Sequence, residues 1–172
     1  MIDYTSIVTN NGNALSDLSK DNKVLLVFLR QLNCVFCREG LKDLAKKKDY
    51  FTKHNANLVF VHMTDYEIAD MYFEKFKLSG YDHISDPGCN LYQDFGLVKG
   101  SFNQLFGLQN IIKGFEATMN GTFIALKQIG DGFQMPGVFL IENSQIKSSF
   151  IHKFASDKPD YEGIVNSCIT ID

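Results

Sequence analysis

Two cysteines separated by two residues, Cys34-Val35-Phe36-Cys37, are flanked by Arg30 and Arg38. The thiolate, not the thiol, is the nucleophile, so what matters is whether the chain presents one of these sulfurs as an anion. The pair follows an apolar run over residues 24–29 and opens an amphipathic stretch, placing it where a strand hands over to a helix. At a helix N-terminus, free amide N–H groups and the macrodipole favour negative charge. Such a position can bring a thiol from about 8.5 into the range of about 3.5–7.5. Either guanidinium, Arg30 or Arg38, would add to this. The two sulfurs are not equivalent. Cys34 falls at or just before the helix N-cap, where it is expected to be exposed. Cys37 lies one turn in, on the inner stripe with Leu41 and Leu44, and is expected to be more buried. This asymmetry suits an attacking Cys34 and a resolving Cys37. With a disulfide substrate a mixed disulfide forms and is released. With peroxide a sulfenic acid forms and condenses with the second thiol.

Other readings compete. Structural zinc takes four ligands, and only Cys89, Cys168 and the scattered His54, His62, His83 and His152 remain to complete a set with Cys34 and Cys37. No second Cys-x-x-Cys or His-x-x-x-His accompanies them, so a zinc-binding domain is the weaker alternative and no metal is expected; no bound cofactor is required, because electrons would arrive through a partner dithiol. A pair of inert buried cysteines in a non-enzymatic binding module is the other alternative. Cys89 and Cys168 read first as core residues, and Lys46-Lys47-Lys48 as a solvated helix face. The apolar positions of 105–115 recur at helical spacing and read as core. If exposed, that stripe is a candidate homodimer contact or apolar substrate wall.

The elements that must position the pair follow from hydrophobic periodicity. Residues 24–29 are continuously apolar, as in a strand buried on both faces. A helix after Cys34 carries Cys37, Leu41, Leu44, Ala45 and Phe51 on one side. Residues 58–61 read as a second buried strand. Thr64 and Glu67 form a capping-box pattern that would open a helix through Phe76. Asp86-Pro87 would start a short helix stopped at Gly96. Residues 138–141 and 146–151 flank a turn and read as a β-hairpin, and Pro159 would open a last helix. Residues 5–9 suit a short edge strand before the Asn11-Gly12 turn. Strands alternating with helices favour an α/β layer architecture, read as one domain over residues 1–172.

Composition bounds the function. The 172 residues carry 17 Lys plus Arg against 20 Asp plus Glu, a net charge of -3, which supplies no field for nucleic acid. The longest apolar run is far below the ~20 residues of a membrane span, and the first Lys is Lys20, so neither a membrane partner nor a secretory leader is expected. The cytoplasm is the expected compartment, where a close Cys pair is more often catalytic or metal-binding than structural.

Gln134-Met135-Pro136-Gly137 precedes the strand Val138-Phe139-Leu140-Ile141, and a proline there is a turn or edge device. A buried strand, Cys-x-x-Cys at a helix start and a late proline before a hairpin resemble the thioredoxin fold. Phe28-Leu29-Arg30 with Cys34-Val35-Phe36-Cys37-Arg38-Glu39, Ser85-Asp86-Pro87 with Leu91-Tyr92 and Phe95-Gly96-Leu97, the 134–141 stretch and Ala155-Ser156-Asp157-Lys158-Pro159-Asp160-Tyr161 more specifically resemble the peroxiredoxin-like group of the alkyl hydroperoxide reductase/thiol-specific antioxidant (AhpC/TSA) family. The resemblance implies a thioredoxin-like three-layer α/β sandwich with a mixed central sheet. It also implies a cis Pro136 that, with Met135, faces Cys34 and shapes a substrate groove. It implies a thiol-disulfide oxidoreductase or thiol peroxidase, fed by a dithiol reductant protein or small thiol and acting on a peroxide or disulfide. A lipid endoperoxide is compatible with the 105–115 stripe. The chain departs from the family's Pro-x-x-x-Thr-x-x-Cys loop. With Cys37 at the family's Cys position, Cys34 replaces the Thr and Arg30 the Pro. Thioredoxin logic makes Cys34 the attacking sulfur, and peroxiredoxin logic makes it Cys37.

Overall fold

The computed structural model describes residues 2–32, 34–101 and 130–167. The run expected to be buried on both faces is the central strand β1 (Lys23–Phe28), buried throughout after Lys23. It pairs in parallel with β2 (Ala56–His62), Leu26 opposite Val59. On its other edge it pairs antiparallel with β4 (Gly137–Glu142), Leu26 opposite Phe139. β3 (Asp82–Ser85) extends the sheet in parallel from β2, and β5 (Gln145–Ile151) extends it antiparallel from β4. The order β3-β2-β1-β4-β5 is therefore a mixed sheet. A strand with neighbours on both edges and helices on both faces has no place for polar side chains.

Alternation along β1 divides its residues between two cores. Leu25 and Val27 pack with Leu41 and Leu44 of α2 (Val35–Lys46), Phe51 of α3 (Lys48–Lys53), Phe73 of α4 (Tyr66–Lys75) and Val165 of α6 (Tyr161–Asn166), where α5 denotes the intervening helix Asn90–Asp94. Leu26 and Phe28 pack on the other face with Leu15 of α1 (Leu15–Leu18), Leu91 and Tyr92 of α5, and Phe95 and Phe139. The Phe28 ring lies 4.9 Å from Tyr92, 5.0 Å from Phe95 and 5.6 Å from Phe139, centroid to centroid. Helix layers on both faces of a mixed sheet give the expected three-layer α/β sandwich. Among the described residues no helix is long and apolar enough to cross a membrane.

Several local expectations are corrected. Residues 5–9 form no strand beyond the single bridge Val8–Ala14. Side chains dock this segment instead, with the Thr9 hydroxyl and the Asn13 amide donating to the Asp82 carboxylate at 2.6 and 3.1 Å. The helix after Cys34 is broken at Lys47 (φ −100°, ψ 11°) into α2 and α3. The capping box does not form. Asp65, one residue further on, is the N-cap of α4 and its side chain makes no capping bond, while Thr64 lies beside β3, its carbonyl accepting the Ser85 hydroxyl at 2.6 Å. Pro87 lies before α5, which is capped by Asp86. That carboxylate accepts the N–H groups of Asn90, Leu91 and Tyr92. Pro159 likewise lies outside α6, whose N-cap Asp160 accepts the Gly163 N–H at 3.0 Å. The Met135–Pro136 peptide is trans, not cis. The Met135 N–H donates to Val98 O at 3.2 Å and the Gln134 side chain to Leu97 O at 3.0 Å, so an extended path already leads into β4. The 105–115 stripe and Cys168 lie outside the described residues.

Candidate active site

The end of β1 delivers the chain to the site. The Leu29 N–H continues the sheet to Val61 O at 2.8 Å, and the buried Tyr92 hydroxyl donates to Leu29 O. The next residue, Arg30, is 7% exposed, and its guanidinium reaches both a backbone carbonyl and the cysteine pair. Nη1 donates to Gly132 O at 2.7 Å, and Nη2 lies 2.7 Å from Cys34 Sγ. The first contact holds the fork and the second directs it at the sulfur, an orientation for which a planar guanidinium is suited. Gly130, at φ +97°, lets the chain pass close behind. A Cβ there would sit 3.1 Å from Arg30 O.

Cys34 is the N-cap of α2 with extended backbone (φ −68°, ψ 134°), as the sequence predicts. Its thiol is lowered to about 5, first by a hydrogen bond from the Cys37 thiol, with the Arg30 charge adding to it and burial opposing. Cys37 moves the other way, well above its ordinary range, because its proton is engaged by Cys34 and because burial disfavours its charge. Burial works against the Arg30 charge, but the two sulfurs reverse this and keep it protonated. One sulfur is thus held as an anion and the other as a thiol beside it. Both are free, and both residues are half-buried. Cys34 is thus less exposed and Cys37 less buried than expected, and charge and proton placement separate them.

The two sulfurs also differ in what they face. A cavity of about 390 Å³ lies between α2, β4, α6 and residues 152–159. Its wall includes Phe36, Cys37, Pro136, Val138, Ala155 and Tyr161, but not Cys34. Pro136 thus shares the cavity of Cys37. Met135 is 3% exposed and packs with Ala155 and Phe36 behind that wall. Arg38 is buried, with its guanidinium 5.9 Å above the Phe76 ring, so it sits in the packing of α2 against the end of α4. Of the two flanking arginines, the structure brings Arg30 to the cysteines. Among the described residues no group of three or more His, Cys, Asp or Glu side chains is placed to hold a metal ion.

Sequence reasoning missed His152 and the backbone of Gly132. His152 lines the cavity and its Nδ1 lies 3.1 Å from Pro136 O, so that nitrogen carries the proton and donates. Burial lowers His152 to about 4, leaving it neutral at physiological pH. The hairpin reading held a partial signal, since β4 and β5 must bring residues near 136 and 152 together. A register shift between Leu140 and Ile141 decides which residue arrives.

The family model described as AhpC/TSA matches residues 8–148. A relative from Arabidopsis thaliana, "Thioredoxin-like protein AAED1, chloroplastic", is 27% identical over 97% of this chain and 71% of its own length. The bovine protein "Peroxiredoxin-like 2C" is 31% identical, the match covering 49% of this chain and 37% of that protein. Among solved structures, a Cys-to-Ser mutant of peroxiredoxin 6 from Arenicola marina superposes with a TM-score of 0.65 at 14% identity, over 96% of this chain and 71% of that one. A yeast mitochondrial 1-Cys peroxiredoxin gives 0.61 at 15% identity, over 96% and 74%. At such identities these structures establish the shared fold.

Proposed function

This chain belongs to the AhpC/TSA family, and from that premise and the geometry of its cysteines we propose that it is a thiol-dependent oxidoreductase with Cys34 as nucleophile and Cys37 as resolving thiol. The observation that carries the reading is the 2.7 Å approach of Arg30 Nη2 to Cys34 Sγ at the N-terminus of α2. With a peroxide, the Cys34 thiolate attacks the distal oxygen, the O–O bond breaks, and the alkoxide takes a proton and leaves as alcohol or water. Cys34 becomes a sulfenic acid. The Cys37 sulfur then attacks it, a disulfide forms, and the hydroxyl leaves as water with the thiol proton. Two electrons, from an external dithiol or from two thiols, restore the pair. With a disulfide substrate the same two sulfurs act in the same order through a mixed disulfide. Pro136 and Met135 shape the wall beside Cys37, and Arg30 holds the Cys34 anion. Arg38 acts at one remove, by packing α2 against Phe76.

The test is stoichiometric oxidation with peroxide followed by mass mapping. The wild type is expected to yield a Cys34–Cys37 bridge and Cys37→Ser a sulfenic acid on Cys34, while Cys34→Ser reacts at least about tenfold more slowly at pH 6, where only the Cys34 sulfur is an anion. Rapid sulfenic acid formation on Cys37 in Cys34→Ser would reverse the two roles.

A further inference from the structure

The two faces of the redox pair carry an inference about how the oxidised enzyme is reduced. It rests on the function proposed above. Cys37 stands in the wall of the 390 Å³ cavity, whereas Cys34 is not part of that wall and lies against Arg30. We infer that the oxidised pair is reduced by a low-molecular-weight thiol bearing both ammonium and carboxylate groups, which enters this cavity and attacks the Cys37 sulfur, expelling Cys34 toward Arg30.

Size, charge and leaving-group chemistry all support this. Cavities of about 300–1,000 Å³ are the ordinary range for small-molecule sites. The inner wall is apolar around Cys37, with Phe36, Val138 and Tyr161. The rim is charged with both signs: Glu39, Lys42, Asp43 and Lys46 on α2, and Asp157 and Lys158 on the facing segment, with Lys158 Nζ already 3.3 Å from Glu39 Oε2. Mixed charge of this kind complements a zwitterion better than a simple anion. In thiol–disulfide exchange the better leaving group is the sulfur with the lower pKa. The Cys34 thiol is the lowered one, at about 5, so attack on Cys37 releases the more stable thiolate. The atoms balance. An external thiolate RS⁻ bonds to Cys37 Sγ, the Cys34–Cys37 bond breaks, and Cys34 leaves with the electron pair. A second RS⁻ attacks the RS sulfur, RS–SR leaves, and Cys37 takes a proton from water. Two thiols are oxidised and one protein disulfide is reduced.

Glutathione is the probe. Peroxide-oxidised wild-type protein is mixed with glutathione and quenched with acid and a maleimide after a short delay, and the peptide carrying both cysteines is mapped by fragment ions. The expected first product has glutathione on Cys37 and maleimide on Cys34. Glutathione on Cys34 would overturn the inference and leave the proposed function standing. Absence of any Cys34–Cys37 bridge in the oxidised protein would overturn both. A second measurement compares reduction by glutathione with reduction by neutral 2-mercaptoethanol. In the Lys46→Glu protein the ratio of the two rate constants should fall about twofold to threefold, as one exposed rim charge is reversed. Gly40→Leu, which projects into the cavity beside Tyr161, should slow glutathione and spare a thioredoxin-type dithiol protein. An unchanged ratio, or a dithiol protein slowed as much as glutathione, would overturn the small-thiol assignment.

Discussion

At the scale of single residues, the fold decides protonation states. Arg30 is the clearest case. Removing its charge without much loss of volume, as in Arg30→Met, takes away a cause of the low Cys34 value, and the thiolate then forms only at higher pH. Alkylation by iodoacetamide, followed against pH, should inflect near 5 in the wild type. In the variant the inflection should move upward, with several-fold slower reaction at pH 6. The buried histidines supply a second case. His83 Nε2 donates to Asp70 Oδ1 at 3.0 Å, His62 Nε2 donates to His83 Nδ1 at 2.8 Å, and the Thr64 N–H faces His62 Nδ1 at 3.4 Å. One proton arrangement satisfies all three contacts, and in it both rings are neutral. Burial first, and then His83, lower His62 to about 3. The unfolded chain protonates near 6.5, so the native state binds fewer protons below that value. Stability from this residue is intact above about pH 6.5 and is lost as pH falls toward 3. Between pH 6 and 4 the wild type should lose about 2–3 kcal/mol more than His62→Gln in urea unfolding. Parallel losses in the two proteins would show that His62 does not titrate in this way.

At the scale of elements, the termini and turns carry identifiable energies. The Asp86 carboxylate accepts three N–H groups at the start of α5, a helix only five residues long. Asp86→Ala should cost about 1–2 kcal/mol and lower Tm by a few degrees in a scanning calorimeter. The β4–β5 turn places both Asn143 (φ 51°) and Ser144 (φ 55°) in the left-handed region, which suits a two-residue hairpin. Ser144→Gly keeps the N–H that reaches Ser19 and removes a Cβ penalty, so it should raise stability by roughly 0.5–1 kcal/mol. A lowered midpoint would contradict this account of the turn. The sequence made some elements legible and others not for physical reasons. β1 was readable because double burial leaves a continuous apolar run. The start of α2 at Cys34 was readable from the helical stripe behind it. The start of α4 was not, because the backbone at Thr64 is still tied to β3 and the helix begins one residue later, at Asp65. The choice between Arg30 and Arg38 was also out of reach, since it is made by the carbonyl of Gly132, 102 residues further along. His152 was hidden by the register shift in the hairpin.

At the scale of the whole molecule, β1 belongs to both cores and ends at the redox site, so packing on one face bears on chemistry reached from the other. Tyr92 makes the connection. Its ring is fully buried against Phe28 in the α1/α5 core, and its hydroxyl donates to Leu29 O, with Val61 O 3.2 Å away. Those carbonyls lie where the sheet releases the chain toward Arg30. Tyr92→Phe keeps the ring and deletes the donor to the buried Leu29 carbonyl, while Val61 O keeps the Leu29 N–H, at a cost of about 1–3 kcal/mol. If the hydroxyl only stabilises, urea unfolding shifts and the Cys34 alkylation profile does not. If it also holds the end of β1 in the position from which Arg30 reaches the sulfur, loosening that end weakens the ion pair and the inflection rises above its wild-type value near 5. The second outcome is expected, because Arg30 is directly bonded to Leu29 and its fork spans two distant partners with little tolerance for displacement. The alkylation inflection of Tyr92→Phe, measured beside its unfolding midpoint, separates the two roles.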